Sequence, residues 1–246
     1  MTDAPVDLRE PEPTAGTGDT LIEARGLSAG YGKMAVVREI DIRVDAGEVV
    51  ALIGANGAGK TTTLLTLAGE LTPLEGEVRF LGEATRAPMH VRCRAGLGYV
   101  TEERSVIMDM TVSENLKLAA VPPATAFTYF PDLERIMGRK AGLCSGGEQQ
   151  MLSLARALGR EPKVLLADEL SLGLAPIIVT NLLKAVRAAA DERGIGVLLV
   201  EQHVRQALKV ADRVYLMERG HIILSGTSAE IVGQLDKIEA AYLSGS

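Results

Sequence analysis

Apolar and polar residues form two kinds of strand-like pattern along this chain of 246 residues. Residues 21–28 and 39–44 alternate between apolar and polar side chains, which predicts half-buried antiparallel strands. Four short runs are mostly apolar instead, which predicts strands buried on both faces, as in a parallel sheet. These runs are residues 48–53, 97–101, 164–167 and 197–200. We also expect an edge strand at 76–81 and a hairpin of 213–217 with 221–225, joined at Arg219-Gly220.

Segments with helical periodicity separate these strands. The predicted helices are residues 59–68, 145–160, 176–193 and 203–211, with two short helices at the end of the chain. Residues 111–139 are also helical in pattern, but Pro122-Pro123 and Pro131 interrupt them. Strands that alternate with helices predict an α/β fold with a mainly parallel core sheet. An antiparallel β part precedes it, and a helical subdomain is expected at about residues 103–160.

Composition and charge set limits on this protein. Residues 1–20 hold five acidic residues against Arg9 alone, which predicts a disordered acidic tail before a domain of residues 21–246. The net charge of -6 gives no reason to expect nucleic-acid binding. No apolar run approaches the roughly 18 residues of a membrane span, so no transmembrane segment is expected. The two cysteines, Cys93 and Cys144, lack the spacing of a metal site.

A glycine-rich segment directly follows the apolar run at 48–53. Its residues fit the phosphate-loop pattern G-x-x-x-x-G-K-[ST] between a strand and a helix. They are Gly54, Ala55, Asn56, Gly57, Ala58, Gly59, Lys60 and Thr61, with Thr62 next in the helix. Glycines let backbone N–H groups turn towards phosphate, and the helix adds its positive end. Lys60 is predicted to bind the β- and γ-phosphates of ATP, and Thr61 to ligate Mg²⁺.

Two adjacent carboxylates end the apolar run at 164–167. A phosphate-loop ATPase needs an acidic group for its Mg²⁺ ion and a group that positions the attacking water. We assign Asp168 to the metal and Glu169 to the water. The alternative is an acidic helix cap after a strand, which the phosphate loop elsewhere in the chain disfavours.

A third motif reads C-S-G-G-E-Q-Q over residues 144–150. Ser145 and Glu148 have the S-x-x-E spacing of a capping box, which alone predicts only the start of a helix. The same helix start, with Ser145, Gly146 and Gly147, is also suited to binding an anion. Both interpretations stay open on this segment alone.

Taken together and in this order, the three motifs resemble the ATP-binding cassette (ABC) proteins over about residues 21–246. The resemblance implies a P-loop NTPase fold with an antiparallel β subdomain and a helical subdomain beside the core sheet. It implies ATP and Mg²⁺ as cofactors, ATPase activity, and pairing with a second cassette, the same or a different one. Each ATP would then lie between residues 54–61 of one chain and Ser145, Gly146 and Gly147 of the other.

Further site residues follow from the same resemblance. Tyr31 is similar to the aromatic residue that stacks on adenine, although an ordinary packed tyrosine is the alternative. Glu102 stands where most relatives have a glutamine that contacts Mg²⁺ and γ-phosphate. His203 resembles the switch histidine that contacts γ-phosphate, so the expected catalytic residues are Lys60, Glu169 and His203. Cys144 replaces a usual leucine, and the S-L-G-L-A-P run at 171–176 lacks an aspartate that many relatives carry.

The subgroup that the chain resembles is the second ATPase subunit of branched-chain amino acid importers. Glu102, the runs at 145–152 and 171–176, and the ending Ala240-Ala241-Tyr242-Leu243 carry this likeness. It implies an importer of a small polar solute, such as branched-chain amino acids, amides or urea. The chain would bind membrane permease subunits on the inner face of the cell membrane. Three aromatic residues at 127–130 are candidates to dock the permease, with packing of the helical subdomain as an equal alternative.

Two other functions remain as alternatives. One is a soluble ABC-type ATPase that acts in macromolecular assembly, and binding to soluble partners rather than permeases would identify it. The other is a regulatory nucleotide-binding module without turnover, against which Glu169 and His203 argue.

Overall fold

Ten strands and eight α-helices make up residues 19–233, the part of the chain that the computed structural model describes. The strands are β1 (Thr20–Tyr31), β2 (Met34–Asp45), β3 (Val49–Gly54), β4 (Glu75–Phe80), β5 (Glu83–Ala84), β6 (Leu97–Val100), β7 (Val164–Asp168), β8 (Gly196–Glu201), β9 (Arg213–Glu218) and β10 (His221–Thr227). The helices are α1 (Lys60–Ala68), α2 (Met89–Ala95), α3 (Val112–Leu118), α4 (Pro123–Tyr129), α5 (Gly146–Leu158), α6 (Pro176–Arg193), α7 (Val204–Ala207) and α8 (Ser228–Val232).

The strands form two sheets. The core sheet has the order β10-β9-β3-β8-β7-β6 and is parallel apart from the β9–β10 hairpin. The second sheet has the order β2-β1-β4-β5 and is antiparallel. This is the predicted α/β architecture with its antiparallel part. The strand β4 is not at the edge as predicted, because the two-residue strand β5 pairs with it.

Alternate residues of the central strands face two separate hydrophobic cores. Successive side chains of a strand point to opposite faces of its sheet. Val50, Leu52 and Leu166 therefore pack with α1 and the antiparallel sheet. Ala51 and Leu165 pack with the helices of the other face, α3 to α6. The strands β3, β7 and β8 are buried along their whole length, which explains why they are apolar on both faces.

In the helical subdomain, prolines and capping residues mark where the helices begin. Thr111 and Glu114 form a complete capping box at the start of α3. Pro123 begins α4, and Pro131 begins a 3₁₀ turn over Pro131–Ile136, because proline suits the first turn of a helix. The aromatic residues beside them point inward. Phe130 is buried, and Phe127 and Tyr129 pack against the same core, so the structure favours the packing role over permease docking.

Three parts of the prediction differ from the structure or lie outside it. The predicted helix at 203–211 is α-helical only in α7, and turns follow it. The chain bends after these turns, and Asp212 N donates to Val49 O at 2.8 Å. The helix α2 was not predicted, since its sequence is short and basic; its buried Arg92 donates to Leu67 O at 2.6 Å, at the end of α1. The predicted acidic tail before residue 19, and the closing helix and Ala240-Ala241-Tyr242-Leu243 after residue 233, lie outside the described residues. No helix within residues 19–233 is long and apolar enough to cross a membrane.

Candidate functional site

Four parallel strands bring the predicted site residues together at one edge of the core sheet. The carboxyl ends of β3, β6, β7 and β8 lie at the same edge because these strands run in the same direction. The phosphate loop follows β3, Glu102 follows β6, and Asp168 ends β7. A cavity of about 320 Å³ opens there. It is lined by Val36, Asn56, Gly57, Gly59, Lys60, Thr61, Thr62, Glu102, Glu169 and Leu172.

The phosphate loop depends on glycine at positions where a side chain cannot fit. Gly59 has φ +111°, and a Cβ there would lie 2.9 Å from Val37 Cγ2. At Gly54 a Cβ would lie 2.6 Å from the carbonyl oxygen of Met217. The turn of the β9–β10 hairpin braces the loop from outside, because Gly220 N donates to Ala58 O at 2.8 Å. The glycine-rich loop thus lies between β3 and α1, as the sequence predicts, and its glycines stand where a side chain would clash.

Lys60 lies in the wall of the cavity with only 4% of its surface exposed. Its Nζ donates to the carbonyl oxygens of Gly54 at 2.8 Å and Ala55 at 3.2 Å. Glu169 Oε1 lies 3.4 Å from the same nitrogen. No side chain caps the helix that Lys60 begins. The ammonium group and the first backbone N–H groups of α1 together suit an anion such as phosphate.

Asp168 carries the features of a metal-binding carboxylate. It is buried, and its Oδ1 has no hydrogen-bond partner. Burial raises the pKa of Asp168 to about 6, although a hydrogen bond from Thr61 opposes that rise. Glu102 is close enough that its charge raises this pKa further.

Three hard oxygen donors, from Thr61, Glu102 and Asp168, are therefore available to Mg²⁺. No group of three His, Cys, Asp or Glu side chains within residues 19–233 could hold a metal ion by itself. Mg²⁺ usually takes one or two carboxylates and completes its shell with water and substrate phosphates.

Glu169 enters the cavity through an unusual backbone conformation. Its φ is +47°, in the left-handed region that costs a residue with a Cβ roughly 1–2 kcal/mol. The neighbouring strand holds it there, since Glu169 N donates to Val200 O at 3.0 Å. A carboxylate in this position, beside Lys60 and facing the cavity, could accept a proton from a water molecule.

Sequence reasoning missed a buried pair that lies behind Glu169. Glu201, at the end of β8, is 1% exposed and accepts two hydrogen bonds from Ser171. Burial raises the pKa of Glu201 to about 7. The one signal in the sequence was an acidic residue that directly follows the apolar run at 197–200.

Residues 145–147 lie apart from the cavity. Ser145 and Glu148 form the complete capping box that the sequence predicted, with Ser145 N donating to Glu148 Oε2 at 2.6 Å. The guanidinium of Arg104 lies 3.3 Å from where a Cβ on Gly146 would stand, and donates to Gln149 Oε1 at 3.3 Å. The capping role of this helix start is thus observed, and its role in binding an anion stays a prediction.

Two predicted contacts are not brought to the cavity. Tyr31 is 56% exposed near the tip of the β1–β2 hairpin, and no residue of the β1 strand lines the cavity. His203 is exposed at the start of α7, also outside the cavity lining, whereas Gln202 beside it is half-buried. The roles of Tyr31 in adenine stacking and of His203 as the switch stay predictions.

Comparison with known proteins gives a consistent result. Residues 37–171 match the profile of the ABC transporter family. The chain is 41% identical over 229 residues to the high-affinity branched-chain amino acid transport ATP-binding protein BraG of Pseudomonas aeruginosa, covering 89% of this chain and 97% of that protein. It is 36% identical to the probable branched-chain amino acid transport ATP-binding protein LivF of Archaeoglobus fulgidus, covering 84% and 92%.

Two further relatives widen the picture. The lipopolysaccharide export system ATP-binding protein LptB of Acidithiobacillus ferridurans is 35% identical, over 86% of this chain and 92% of that protein. A solved ATP-binding cassette of an ABC transporter in its ADP conformation has a TM-score of 0.78 and 26% identity, covering 87% and 94%.

Proposed function

This chain belongs to the ABC transporter family as an ATP-binding ATPase subunit, and from that premise we propose that it drives import of a small polar solute. Branched-chain amino acids, or a related amide or urea compound, are the proposed substrates. The observation that carries the proposal of turnover is the position of Glu169. Its carboxylate lies in the phosphate-loop cavity, 3.4 Å from Lys60 Nζ.

The residues of this chain divide the reaction between them. Backbone N–H groups of residues 54–61 and the Lys60 ammonium bind the phosphates of ATP. Glu169 orients the attacking water and takes up its proton. Mg²⁺ held by Thr61, Asp168 and Glu102 would neutralise charge on the phosphates. Ser145, Gly146 and Gly147 of a second cassette cover the phosphates from the other side, His203 contacts γ-phosphate, and Tyr31 stacks on adenine.

Import is proposed over export because of the degree of similarity. BraG, at 41% identity, and LivF, at 36%, are named for branched-chain amino acid transport. LptB, at 35%, is named for lipopolysaccharide export. All three are named for transport, which favours a transporter subunit over an ATPase of macromolecular assembly.

A transporter subunit needs a surface for its membrane partners. A groove of about 940 Å³ lies between α2, β6 and the helical subdomain, with Leu65, Leu97 and Leu118 among its apolar residues. Arg94, Arg156, Arg160 and Lys163 also line it, against only Glu70 and Glu161. We place the permease subunits in this groove, with an acidic segment facing the basic side chains. The chain would thereby lie on the inner face of the cell membrane.

The proposed reaction is tested with Glu169→Gln. Glutamine keeps the shape of the side chain but cannot take a proton, so turnover should fall by roughly 10²–10⁴-fold while ATP still binds. Loss of the negative charge also removes repulsion of γ-phosphate, so the variant should accumulate as an ATP-bound dimer. Phosphate release and size-exclusion chromatography with ATP and Mg²⁺ measure both effects.

Glu218→Gln is the matched control, because Glu218 is an exposed glutamate at the end of β9, another strand of the core sheet. Turnover of Glu169→Gln close to that of the wild type would refute the role of Glu169. A slow variant that stays monomeric would count against a homodimer and favour a different partner cassette. Reconstitution with candidate permease subunits in liposomes, followed by uptake of labelled leucine or urea, tests the substrate class.

A further inference from the structure

The last two residues of β8 hold the segment that carries Glu169. Val200 O accepts from Glu169 N at 3.0 Å. Next to it, Glu201 Oε1 accepts from Ser171 N at 3.2 Å and Glu201 Oε2 accepts from Ser171 Oγ at 2.6 Å. Ser171 and Glu201 are both buried, so water does not compete for these bonds. The segment is thus fastened on both sides of Leu170.

This fastening supports a conformation that Glu169 would not keep by itself. Its φ of +47° is disfavoured for a residue with a Cβ, and such residues persist only where the surroundings hold them. The turn after it brings Leu172 into the cavity wall, with Leu172 N 3.3 Å from Glu169 O. Release of Ser171 would let the turn relax and would swing the Glu169 carboxylate away from its place beside Lys60.

We infer that Glu201 is a positioning residue for ATP hydrolysis, which acts by holding Ser171 so that Glu169 points into the cavity. The inference rests on the proposed function, since it gives Glu169 its role in the reaction. Glu201 does not line the cavity and is not expected to touch the nucleotide. Its effect should therefore appear in kcat rather than in the affinity for ATP.

Two replacements of Glu201 separate its hydrogen bonds from its charge. In Glu201→Gln, the amide oxygen can accept from Ser171 N and the amide nitrogen can donate to Ser171 Oγ. In Glu201→Ala both bonds are lost. We expect Glu201→Ala to lower kcat by roughly 10- to 100-fold, the factor that a lost buried hydrogen bond to an ionisable group corresponds to. Its KM for ATP should stay within about twofold of the wild-type value, and Glu201→Gln should restore most of the turnover.

A double-mutant cycle tests whether Glu201 acts through Glu169. Phosphate release is measured for Glu201→Ala, Glu169→Gln and the double variant, with Glu218→Ala as the control for loss of a strand-end glutamate. If Glu201 only positions Glu169, its removal should change turnover by less than about twofold once Glu169 is glutamine. Ser171→Ala, which keeps the bond from Ser171 N, should fall between the wild type and Glu201→Ala.

The outcomes distinguish this inference from the proposed function. A normal kcat in Glu201→Ala overturns the inference, and so does a Glu201→Gln variant as slow as Glu201→Ala. Equal losses from Glu201→Ala in both Glu169 backgrounds also overturn it. A wild-type protein without ATPase activity, or a fast Glu169→Gln variant, overturns the proposed function itself. If Glu201→Ala does not fold, the Glu201→Gln and Ser171→Ala results decide.

Discussion

Among the described residues that line the phosphate-loop cavity, Lys60 is the one lysine or arginine, and Glu169 lies 3.4 Å from its Nζ. Its ammonium group is pre-positioned by two carbonyl oxygens and Glu169, so ATP meets a fixed charge rather than a mobile one. We expect Lys60→Ala to weaken ATP binding by more than about 100-fold, because several charge-assisted hydrogen bonds to phosphate are lost. Isothermal titration calorimetry measures the affinity, and circular dichroism should show an intact fold.

Lys33→Ala is the control for this prediction, since Lys33 is exposed in the turn between β1 and β2. Wild-type affinity in Lys60→Ala would be incompatible with the phosphate-binding role of the loop.

Whether His203 is the switch residue can be tested by replacing it. If it is the switch residue, His203→Ala should slow phosphate release by roughly 10²-fold, as loss of one preorganised hydrogen bond to the reacting phosphate does. His203 does not line the cavity in this structure, so a contact with γ-phosphate would need α7 to come closer to the bound nucleotide. Gln202→Ala supplies the comparison, because Gln202 is half-buried and directly follows Glu201. If His203→Ala releases phosphate at the wild-type rate and Gln202→Ala releases it slowly, Gln202 is the switch residue instead of His203.

At the scale of elements, two glycines of the phosphate loop separate steric fit from backbone strain. Gly57 and Gly59 both have positive φ, but only at Gly59 would a Cβ meet a neighbour, 2.9 Å away. We expect Gly57→Ala to lower the free energy of unfolding by ~1–2 kcal/mol, from strain alone. Gly59→Ala should cost at least ~1 kcal/mol more, because Val37 or the loop must move. Urea unfolding of both variants checks this, and equal losses would show that the loop adapts freely.

The elements also show what the sequence could and could not predict. Helix α6 begins at Pro176 and ends at Arg193 as predicted, because proline at its start and Gly194 after its end are local signals. The positions of the phosphate loop after β3 and of Asp168 and Glu169 at the end of β7 likewise follow from local sequence patterns. The contact of Glu201 with Ser171 was not, since it joins residues 30 apart and depends on how β7 and β8 align. The helix α2 was missed because a buried arginine, rather than an apolar stripe, anchors it.

For the whole molecule, the buried Asp168 makes stability depend on pH. Its pKa is about 6 in the folded protein against 3.8 for an ordinary aspartate. The folded state therefore binds more protons than the unfolded state between these values, and this group's contribution falls as pH rises through that window. Asp168→Asn should thus stabilise the nucleotide-free protein at pH 7.5, by up to ~3 kcal/mol, and by about half as much at pH 5.

Urea unfolding of both proteins at the two pH values measures this difference, with Asp109→Asn, at an exposed position, as the control. If Asp168 ligates Mg²⁺ as proposed, Mg²⁺ with ATP should stabilise the wild type much more than Asp168→Asn. A variant that is equally stabilised by Mg²⁺ and ATP would contradict the assignment of Asp168. If Asp168→Asn were less stable than the wild type at pH 7.5, burial of the Asp168 charge would not destabilise the folded protein as expected here.

The brace between the phosphate loop and the β9–β10 hairpin has an evolutionary consequence. It is a main-chain contact, from Gly220 N to Ala58 O, and a second main-chain bond, from Arg38 N of β2 to Gly220 O at 2.9 Å, holds the same turn. Side chains around these bonds can therefore be substituted without breaking the support of the phosphate loop. The vulnerable changes are those of chain length, because one inserted or deleted residue in the hairpin turn would shift both bonds out of register. Replacement of Gly220 itself is the exception, since a Cβ there would overlap the carbonyl oxygen of Val36.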